Sequence, residues 1–425
     1  MTAFRAALGS LMLVPFAAAA AAPPINVEAV YPEAHALYMD LHRHPELSGH
    51  EERTAANLAA RLRALGFQVT EHIGGAGIVA ILANGAGPRV MLRTELDALP
   101  VEEKTGLPYA SREPNVMHAC GHDLHMAALV ATAAIMAGSK SAWHGTLMLV
   151  GQPAEETVSG AQKMIDDGLF KRFARPDVGI ALHVTNDYAA GQVAITPGVE
   201  STNSDNLSIT VFGRGGHGAY PQTTVDPIVL ASRIVLDFQT IVSREVRPGA
   251  TAIITVGALH AGTVGNVIPD QAVMRLTVRT YEPDVRRHVL EAIARIAQAD
   301  AQAAGAPRAP LIELQDAADA VYNDPGLAQR LRAALERSLG KEHVVSGTPV
   351  MSSEDYSRFV IAGVPSLYMQ LGGADPQELA RAKAAGTSLP SNHSPLFAPD
   401  VDPSLHTAIS TEVAALRYLF ANTKS

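Results

Sequence analysis

The residues best suited to chemistry in this sequence are one cysteine, three histidines and two adjacent glutamates in separate segments. The first segment places Cys120, His122 and two further histidines, His118 and His125, within eight positions, directly before an apolar stretch of small residues. Thiolate and imidazole donors at this density suit zinc, cobalt, nickel or manganese. Cys120 and His122 can meet at one point only if the backbone turns at the glycine between them. A buried inert cysteine and ordinary packing of His118 and His125 are the alternatives.

Two adjacent carboxylates, Glu155 and Glu156, follow the apolar run Thr146–Val150. Neighbouring side chains point in opposite directions in extended backbone. If the chain coils here, one carboxylate can bind a metal while the other acts as a base toward water. A solvated glutamate pair on a loop is the alternative.

His183 and His393 extend the set of candidate ligands. His183 closes the apolar run Val178–Leu182, and His393 lies in Ser391–Pro395 near the C-terminus. Ends of parallel strands gather at one edge of an α/β sheet, where ligands bind. Each histidine alone is more often a loop or core residue, but the combination with a thiol and two carboxylates predicts a shared metal site.

The elements that must position these residues alternate between apolar strands and helices. This order is typical of an α/β layer with a largely parallel sheet. A helical pattern covers Pro32 to Gly66. The other predictions are strands at Gly77–Leu82, Arg89–Arg93, Thr146–Val150 and Val178–His183, and helices at Leu124–Ala137, Gly160–Gly168 and Gly326–Leu339.

The middle of the chain changes character near Ser204 and predicts a β-α-β-β-α-β order. This order is that of a small ferredoxin-like domain inserted into the larger one. The predicted organisation is a catalytic domain in residues 23–203 and 312–425 with an inserted domain in 204–311. Its elements are Asn206–Phe212, Asp226–Val242, Thr251–Leu259, Ala272–Thr280, Pro283–Ala304 and Pro310–Leu314.

Length and charge limit the classes of function. A chain of 425 residues favours two domains, and 47% hydrophobic residues permit a large core. Acidic residues outnumber basic ones by 42 to 33, a formal net charge of -9. Because this balance opposes binding to nucleic acid or anionic membranes, a small or neutral ligand fits better.

Residues 1–22 have the composition of a secretory signal peptide, with Arg5, an apolar run and the small-residue tract Ala17–Ala22. No later segment offers about 18 unbroken apolar residues, the length that a membrane span needs. Cys120 is the only cysteine, so an intramolecular disulfide is excluded. We therefore expect a soluble mature protein that is secreted or periplasmic.

Taken together, these segments resemble the aminoacylase and carboxypeptidase family of dinuclear metallopeptidases. The similarity is to its amidohydrolase branch, which contains hippurate hydrolases and plant auxin-conjugate hydrolases. It spans nearly all of the mature chain in family order. The matching segments are Leu96–Pro100, His118–Asp123, Gln152–Glu156, Ala181–His183, Gly215–His217, Asn266–Pro269, Ser353–Asp355 and His393–Pro395.

The resemblance implies a doubly wound catalytic domain with an inserted lid or dimerisation domain, and a homodimer or higher homo-oligomer. It implies Glu155 as general base, and His217 as a residue that reaches the partner's active site. Asn266 and Arg279 would hold the substrate carboxylate. It also implies that two divalent metal ions per chain are bound by Cys120, His122, Glu156, His183 and His393.

Departures from the branch's usual sequence bear on substrate preference. Thr94-Glu95 stands where this branch has Ala-Asp, and Leu124 replaces a glycine within His122–His125. The wider family's His-x-Asp metal segment is represented by Arg93-Thr-Glu95. None of these positions is a proposed ligand.

The predicted function is therefore metal-dependent hydrolysis of the amide bond in N-acyl amino acids or short peptides with a free carboxylate. A metallo-carboxypeptidase or dipeptidase is the alternative, and a secreted non-catalytic binding protein is another. A serine hydrolase is excluded because no G-x-S-x-G segment occurs. Arg279 could instead be a solvated strand residue, and His217 could only cap its own turn.

Overall fold

The computed structural model describes residues 25–423, so the predicted signal peptide lies outside the described residues. The helices within this range are α1 (Tyr31–Arg43), α2 (Glu52–Ala64), α3 (His122–Gly138), α4 (Gly160–Asp166), α5 (Leu169–Arg172), α6 (Pro227–Thr240), α7 (Pro283–Ala303), α8 (Pro325–Leu339), α9 (Ser357–Ile361), α10 (Pro376–Ala385) and α11 (Val401–Asn422).

The strands of the same range form two main sheets and two short ribbons. They are β1 (Gln68–Ile73), β2 (Gly77–Asn84), β3 (Arg89–Glu95), β4 (Gly145–Gln152), β5 (Val178–Ala189), β6 (Val193–Ile195), β7 (Gly198–Val199), β8 (Asn203–Phe212), β9 (Gly216–His217), β10 (Ala252–Ala261), β11 (Val267–Ile268), β12 (Gln271–Thr280), β13 (Leu311–Ala318), β14 (Tyr322–Asn323), β15 (Val344–Ser346) and β16 (Ser366–Ala374).

The larger sheet has eight strands in the order β1-β2-β4-β3-β5-β16-β6-β15. Pairings β4–β3, β3–β5, β5–β16 and β6–β15 are parallel. The remaining three pairings are antiparallel. The predicted mostly parallel sheet is therefore confirmed, with antiparallel pairs at β1–β2, β2–β4 and β16–β6.

Helices cover both faces of the larger sheet. Alternate residues of β3 show this, because Val90 and Leu92 pack into one core while Met91 packs into another. The first core includes residues of α1, α2, α3, α8 and α11, and the second includes residues of α4 and α9. A strand buried on both faces reads as a continuous apolar run rather than an alternating one. The doubly wound arrangement is thus as predicted.

The smaller sheet is antiparallel, in the order β10-β12-β8-β13. Helices α6 and α7 pack on it around a separate apolar core. Asp226 caps α6 by accepting a hydrogen bond from the amide of Ile228 at 2.8 Å, which explains where that helix begins. The β-α-β-β-α-β order confirms the ferredoxin-like fold class, while the domain boundaries at 204 and 311 stay a prediction.

The structure differs from the sequence predictions in several local features, of which three involve the first two helices, β5 and β16. The helical pattern of Pro32 to Gly66 is two helices, because Pro45 disfavours helical backbone at the residue before it. β5 continues to Ala189, so His183 lies within a strand rather than at its end. Strand β16 has no predicted counterpart, although it occupies a central position in the sheet.

Among residues 25–423, no helix is both long and apolar enough to cross a membrane.

Candidate metal centre and active site

The loop that carries Cys120 and His122 turns in a way that only glycine tolerates well. Gly121 has φ +85°, and a Cβ at this position would collide with Cγ1 of Val184 on β5. Left-handed backbone and close packing both favour glycine. The turn leaves His122 as the first residue of α3 and brings Cys120 against β5. The condition set by the sequence, a turn between the two residues, is met.

The five predicted ligands lie together although they come from distant segments. Sγ of Cys120 lies 3.4 Å from Nε2 of His183. Oε1 of Glu156 lies 3.9 Å from Nε2 of His122, and its Oε2 lies 3.3 Å from Nε2 of His393. Donor atoms of Cys120, His122 and His183 all lie within 4.8 Å of one another, as do those of Cys120, Glu156 and His393.

The two glutamates share one side of the site because the chain coils after β4. Ala154 has φ +51°, and the amide of Glu156 donates a hydrogen bond to Asp97 at 2.9 Å. Glu155 and Glu156 therefore both face His122, with carboxylate oxygens 4.0 Å and 3.9 Å from its Nε2. Glu155 is also buried, which argues against a solvated glutamate pair.

The segment before α11 carries His393 to the site in left-handed backbone. His393 has φ +70°, which is uncommon for a residue with a side chain. Its amide donates to the carbonyl of Ala119 at 2.8 Å. The side chain of Asn392 donates to the carbonyls of Cys120 and Val184 at 3.1 and 3.0 Å. These bonds hold the segment against the cysteine loop and stabilise the unusual backbone.

Two buried atoms that could bind a metal have no hydrogen-bond partner among residues 25–423. Nδ1 of His122 donates to the carbonyl of Asp97 at 2.8 Å, which leaves the lone pair of Nε2 free. Within residues 25–423, no hydrogen bond reaches Nε2 of His122 or Oε1 of Glu156, although both atoms are buried. Since unpaired buried polar atoms are costly, a cation at this position fits both.

The electrostatics of the site also favour a bound cation. Burial and the neighbouring Glu354 and Glu156 raise the pKa of Glu155 well above its usual value. Burial raises the pKa of Glu156 to about 7. Burial and the neighbouring carboxylates of Glu156 and Glu155 raise the pKa of the Cys120 thiol. A divalent ion among these groups would offset both the burial and the mutual repulsion.

His125 and His118 are buried beside the site but play different parts. Nδ1 of His125 contacts Glu95 at 2.9 Å, and Nε2 accepts from the amide of Val184 at 2.8 Å. Both nitrogens of His125 are thus occupied, so this residue holds β5 at Val184, next to His183. Burial lowers the pKa of His118 to about 4, so this imidazole is neutral at ordinary pH.

Sequence reasoning assigned no role to a buried charged network next to Glu155. Arg93 is 2% exposed and forms ion pairs with Glu95 and Glu354, the latter at 2.8 Å. Its Nε donates to the side chain of Gln152 at 3.0 Å. Arg93 and Glu95 carried a signal in the sequence because they follow the apolar run Val90–Leu92, and Ser353–Asp355 carried one because it is among the segments that resemble the family.

A cleft of about 630 Å³ opens beside these residues and brings Arg279 to them. Its wall includes Arg279 from β12 of the smaller sheet and His183 from β5 of the larger one. Cys120, Glu155, Glu156 and His393 join them from loops that flank the larger sheet. In the part of the chain that the structure describes, Nη1 of Arg279 is buried without a hydrogen-bond partner. A guanidinium in this state is suited to bind a carboxylate.

His217 and Asn266 lie elsewhere, together on an exposed two-stranded ribbon. β9 and β11 pair so that His217 faces Val267, and the amide of Gly218 donates to the carbonyl of Asn266 at 2.8 Å. Neither residue is in the wall of the cleft. Nδ1 of His217 accepts from the amide of Ala219 at 3.0 Å, the turn contact that the alternative interpretation predicts. That contact occupies one ring nitrogen only.

Comparison with known proteins identifies relatives over most of the chain. The sequence pattern that describes peptidase family M20/M25/M40 matches residues 91–388. A hippurate hydrolase of Campylobacter jejuni is 37% identical over 325 residues, 75% of this chain and 82% of that protein. Thermostable carboxypeptidase 1 of Saccharolobus solfataricus is 33% identical over 382 residues, 89% of this chain and 93% of that protein.

A solved structure extends the comparison to three dimensions. The YXEP protein of Bacillus subtilis, described as a dinuclear metal binding peptidase from the M20 family, superposes with a TM-score of 0.76. The two sequences are 26% identical, and the alignment covers 92% of this chain and 98% of the other. The similarity therefore includes both sheets of the fold.

Proposed function

Because this chain is a metal-dependent hydrolase that belongs to peptidase family M20/M25/M40, we propose that it cleaves the amide bond of N-acyl amino acids or short peptides. The substrates of this proposal carry a free carboxylate. The observation that carries the proposal is the cleft in which Arg279 and Glu155 line the same space as the candidate ligands.

The residues proposed to hold two divalent ions are the five whose donor atoms converge. Zinc, manganese, cobalt and nickel all accept this mixture of donors. When bound, such ions lower the pKa of water and polarise the amide carbonyl. The proposed ligands are Cys120, His122, Glu156, His183 and His393.

Glu155 is proposed to move the proton. Its carboxylate is buried at the cleft, 4.0 Å from the free nitrogen of His122, and is not needed as a ligand when Glu156 serves. Glu155 would take a proton from the attacking water and deliver it to the leaving amine. General acid–base catalysis of this kind accelerates a reaction by about 10²–10⁴. Burial and repulsion raise the pKa of Glu155, which makes it a stronger base once ionised.

Arg279 is proposed to anchor the substrate carboxylate through its buried Nη1. Asn266 and His217 would complete the site from a second copy of the chain, because both are exposed and outside the cleft of their own chain. His217 would donate a hydrogen bond to the developing oxyanion. This part of the proposal requires a homodimer or higher homo-oligomer.

A carboxypeptidase or dipeptidase activity is the second candidate, favoured by the similarity to thermostable carboxypeptidase 1. It needs the same ligands, base and carboxylate anchor. A panel of N-acetyl, N-benzoyl and N-aminoacyl amino acids, assayed with metal analysis of the purified protein, distinguishes the two. No hydrolysis by protein loaded with metal would contradict both candidates.

We also propose that the protein is exported, because residues 1–22 have the composition of a signal peptide. The mature catalytic domain would then begin near residue 23. The mass of the protein isolated from its host would reveal whether this segment is removed.

A further inference from the structure

A glutamine interrupts the apolar strand β16 beside the candidate metal centre. Gln370 pairs in register with His183 on the neighbouring parallel strand β5, and both residues line the cleft. Gln370 is only 5% exposed, so its amide needs partners or a ligand. None of the proposed catalytic steps uses this side chain.

The amide of Gln370 is held by a buried carboxylate. Nε2 of Gln370 donates to Oε1 of Glu200 at 3.0 Å, and the side-chain amide of Asn323 donates to Oε2 of Glu200 at 3.4 Å. Glu200 is 0% exposed, and no cation among residues 25–423 forms an ion pair with it. Burial raises the pKa of Glu200 to about 7, against the opposing effect of the Gln370 hydrogen bond.

When Glu200 is ionised, this contact fixes which end of the Gln370 amide faces the cleft. An ionised carboxylate only accepts hydrogen bonds, so the NH₂ group of Gln370 must point to Glu200. The carbonyl oxygen, Oε1, is then left for the cleft, and no group in the described part of the chain donates to it. The side chain of Asn323 accepts from the backbone amide of Tyr368 at 2.6 Å and donates to its carbonyl at 2.9 Å. Because Asn323 is fixed in this way, Glu200 has little freedom to move.

The adjacent strand adds acceptors to the same wall. Residues of one face alternate along β5, and His183, Thr185 and Asp187 all line the cleft. Within residues 25–423, the carboxylate of Asp187 forms no ion pair. A wall that presents an amide oxygen and an unpaired carboxylate is complementary to a hydrogen-bond donor.

We propose that Gln370 is a specificity-determining residue that accepts a hydrogen bond from an amine or hydroxyl group of the substrate outside the scissile amide. Glu200 is its positioning residue. The inference rests on the proposed amide hydrolysis and narrows its substrate class to acylated or peptidic amino acids with such a donor. The donor can belong to the acyl half or to the side chain of the amino acid.

Isosteric substrate pairs test this selectivity. Glycyl-L-leucine and propionyl-L-leucine differ by an amino group against a methyl group in the acyl half. N-acetyl-L-ornithine and N-acetyl-L-norleucine differ in the same way in the amino acid half. At pH 8.5, where Glu200 is ionised, we expect kcat/KM to favour the donor-bearing member about tenfold in one pair, the size of one good hydrogen bond. The pair that discriminates identifies the half that Gln370 contacts.

Variants then assign the effect to this pair of residues. Gln370→Met keeps the size of the side chain but removes the acceptor, so the preference should fall to near one. Glu200→Gln allows the amide of Gln370 to adopt either orientation, so an intermediate preference is expected, seen chiefly in KM. Glu412→Gln is the matched control and should leave the preference unchanged. Like Glu200, Glu412 is buried and accepts a hydrogen bond from a neutral side chain, that of Thr132 at 2.7 Å. Unlike Gln370, it lies outside the cleft wall.

Equal kcat/KM within both pairs for the wild-type protein would overturn the inference while leaving the amide hydrolase intact. An unchanged preference in folded Gln370→Met would also overturn it. The wild-type comparison decides if neither variant folds. Failure of metal-loaded protein to cleave any amide of the panel would instead contradict the proposed function itself.

Discussion

Nε2 of His183 lies 3.4 Å from Sγ of Cys120, so a residue within β5 meets the loop that precedes α3. The contact joins the middle of a central strand to a turn stabilised by glycine. Because the backbone of the strand and of the turn is closely packed around them, the two donors are held near one another. A preformed site of this kind binds metal with less reorganisation.

Removal of the thiol is expected to weaken metal binding. Cys120→Ala should contain fewer than the two ions per chain expected for the wild type, because one ligand of the converging set is lost. Elemental analysis of purified, unchelated protein measures this directly. A buried inert cysteine would leave the metal content unchanged, and so would contradict the assignment.

The adjacent glutamates should respond differently to the same substitution. Glu155→Gln should keep its metal and lose at least about 10² in turnover, the low end for loss of a general base. Glu156→Gln should lose metal. Because both variants change one carboxylate at neighbouring positions, each is the control for the other. The reverse result would show that Glu155 is the ligand and Glu156 the base.

Because Nη1 of Arg279 has no hydrogen-bond partner among residues 25–423, the proposed anchor predicts a requirement for the substrate carboxylate. Arg279→Met should lower kcat/KM about thirtyfold, equivalent to about 2 kcal/mol, the low end for truncating one partner of a buried charge pair. Amidation of the substrate carboxylate should have a similar effect on the wild type. If Arg279 binds the carboxylate, the two changes together should cost little more than either alone. Equal cleavage of acid and amide substrates would exclude an anchoring role.

Complementation tests whether His217 acts on a partner chain. His217→Ala should retain its metals and fold while losing about 10²–10³ in turnover if an oxyanion donor is removed. Mixing it with Glu155→Gln under conditions of subunit exchange should restore about a quarter of wild-type activity. About half of randomly formed dimers are mixed, and each has one complete site. No recovery of activity despite subunit exchange would show that His217 acts in the active site of its own chain or only in its own turn.

A buried histidine near the site predicts a stability change at alkaline pH. Nδ1 of His42 contacts Asp123 at 2.6 Å, and Nε2 contacts Glu103 at 3.3 Å. Burial lowers the pKa of His42, but these carboxylates outweigh it and raise the pKa from 6.5 to about 9. The raised pKa means that this contribution to stability is fully present below pH 6.5 and is lost as pH rises through 9.

The wild-type protein should therefore lose about 3 kcal/mol more unfolding free energy than His42→Gln between pH 6 and pH 9.5. Urea unfolding of chelated samples measures the difference without the pH dependence of metal binding. The surface variant His144→Gln should follow the wild type. Parallel stability profiles for wild type and His42→Gln would show that His42 is uncharged in the folded protein.

The sequence predicts the fold better than it predicts the surroundings of the site. Strand and helix patterns indicate the layered fold because burial on each face determines residue type locally. The density of donors around Cys120 and the pair at Glu155 point to chemistry for the same local reason. Their placement within a few ångströms agrees with the expected metal centre, while their individual roles stay predictions.

Contacts between distant segments explain what the sequence does not reveal. Arg93 reads as a residue of an apolar strand, but its partner Glu354 lies far along the chain. Gln370 and Glu200 are also remote from one another, and neither stands in a recognisable motif. Such pairs depend on how strands are ordered in the sheet, and local periodicity carries no information on that order.

Strand β16 lies between β5 and β6 in the sheet, although the ribosome synthesises it long after both. While the chain is being synthesised, β5 therefore presents an unsatisfied backbone edge until residues 366–374 emerge. Exposed strand edges of this kind are prone to pair with other chains. The whole intervening ferredoxin-like segment can form its own core during that time. The nascent chain can thus contain a folded ferredoxin-like segment next to a larger sheet that still lacks β16. It cannot assemble its candidate metal centre until His393 has been synthesised.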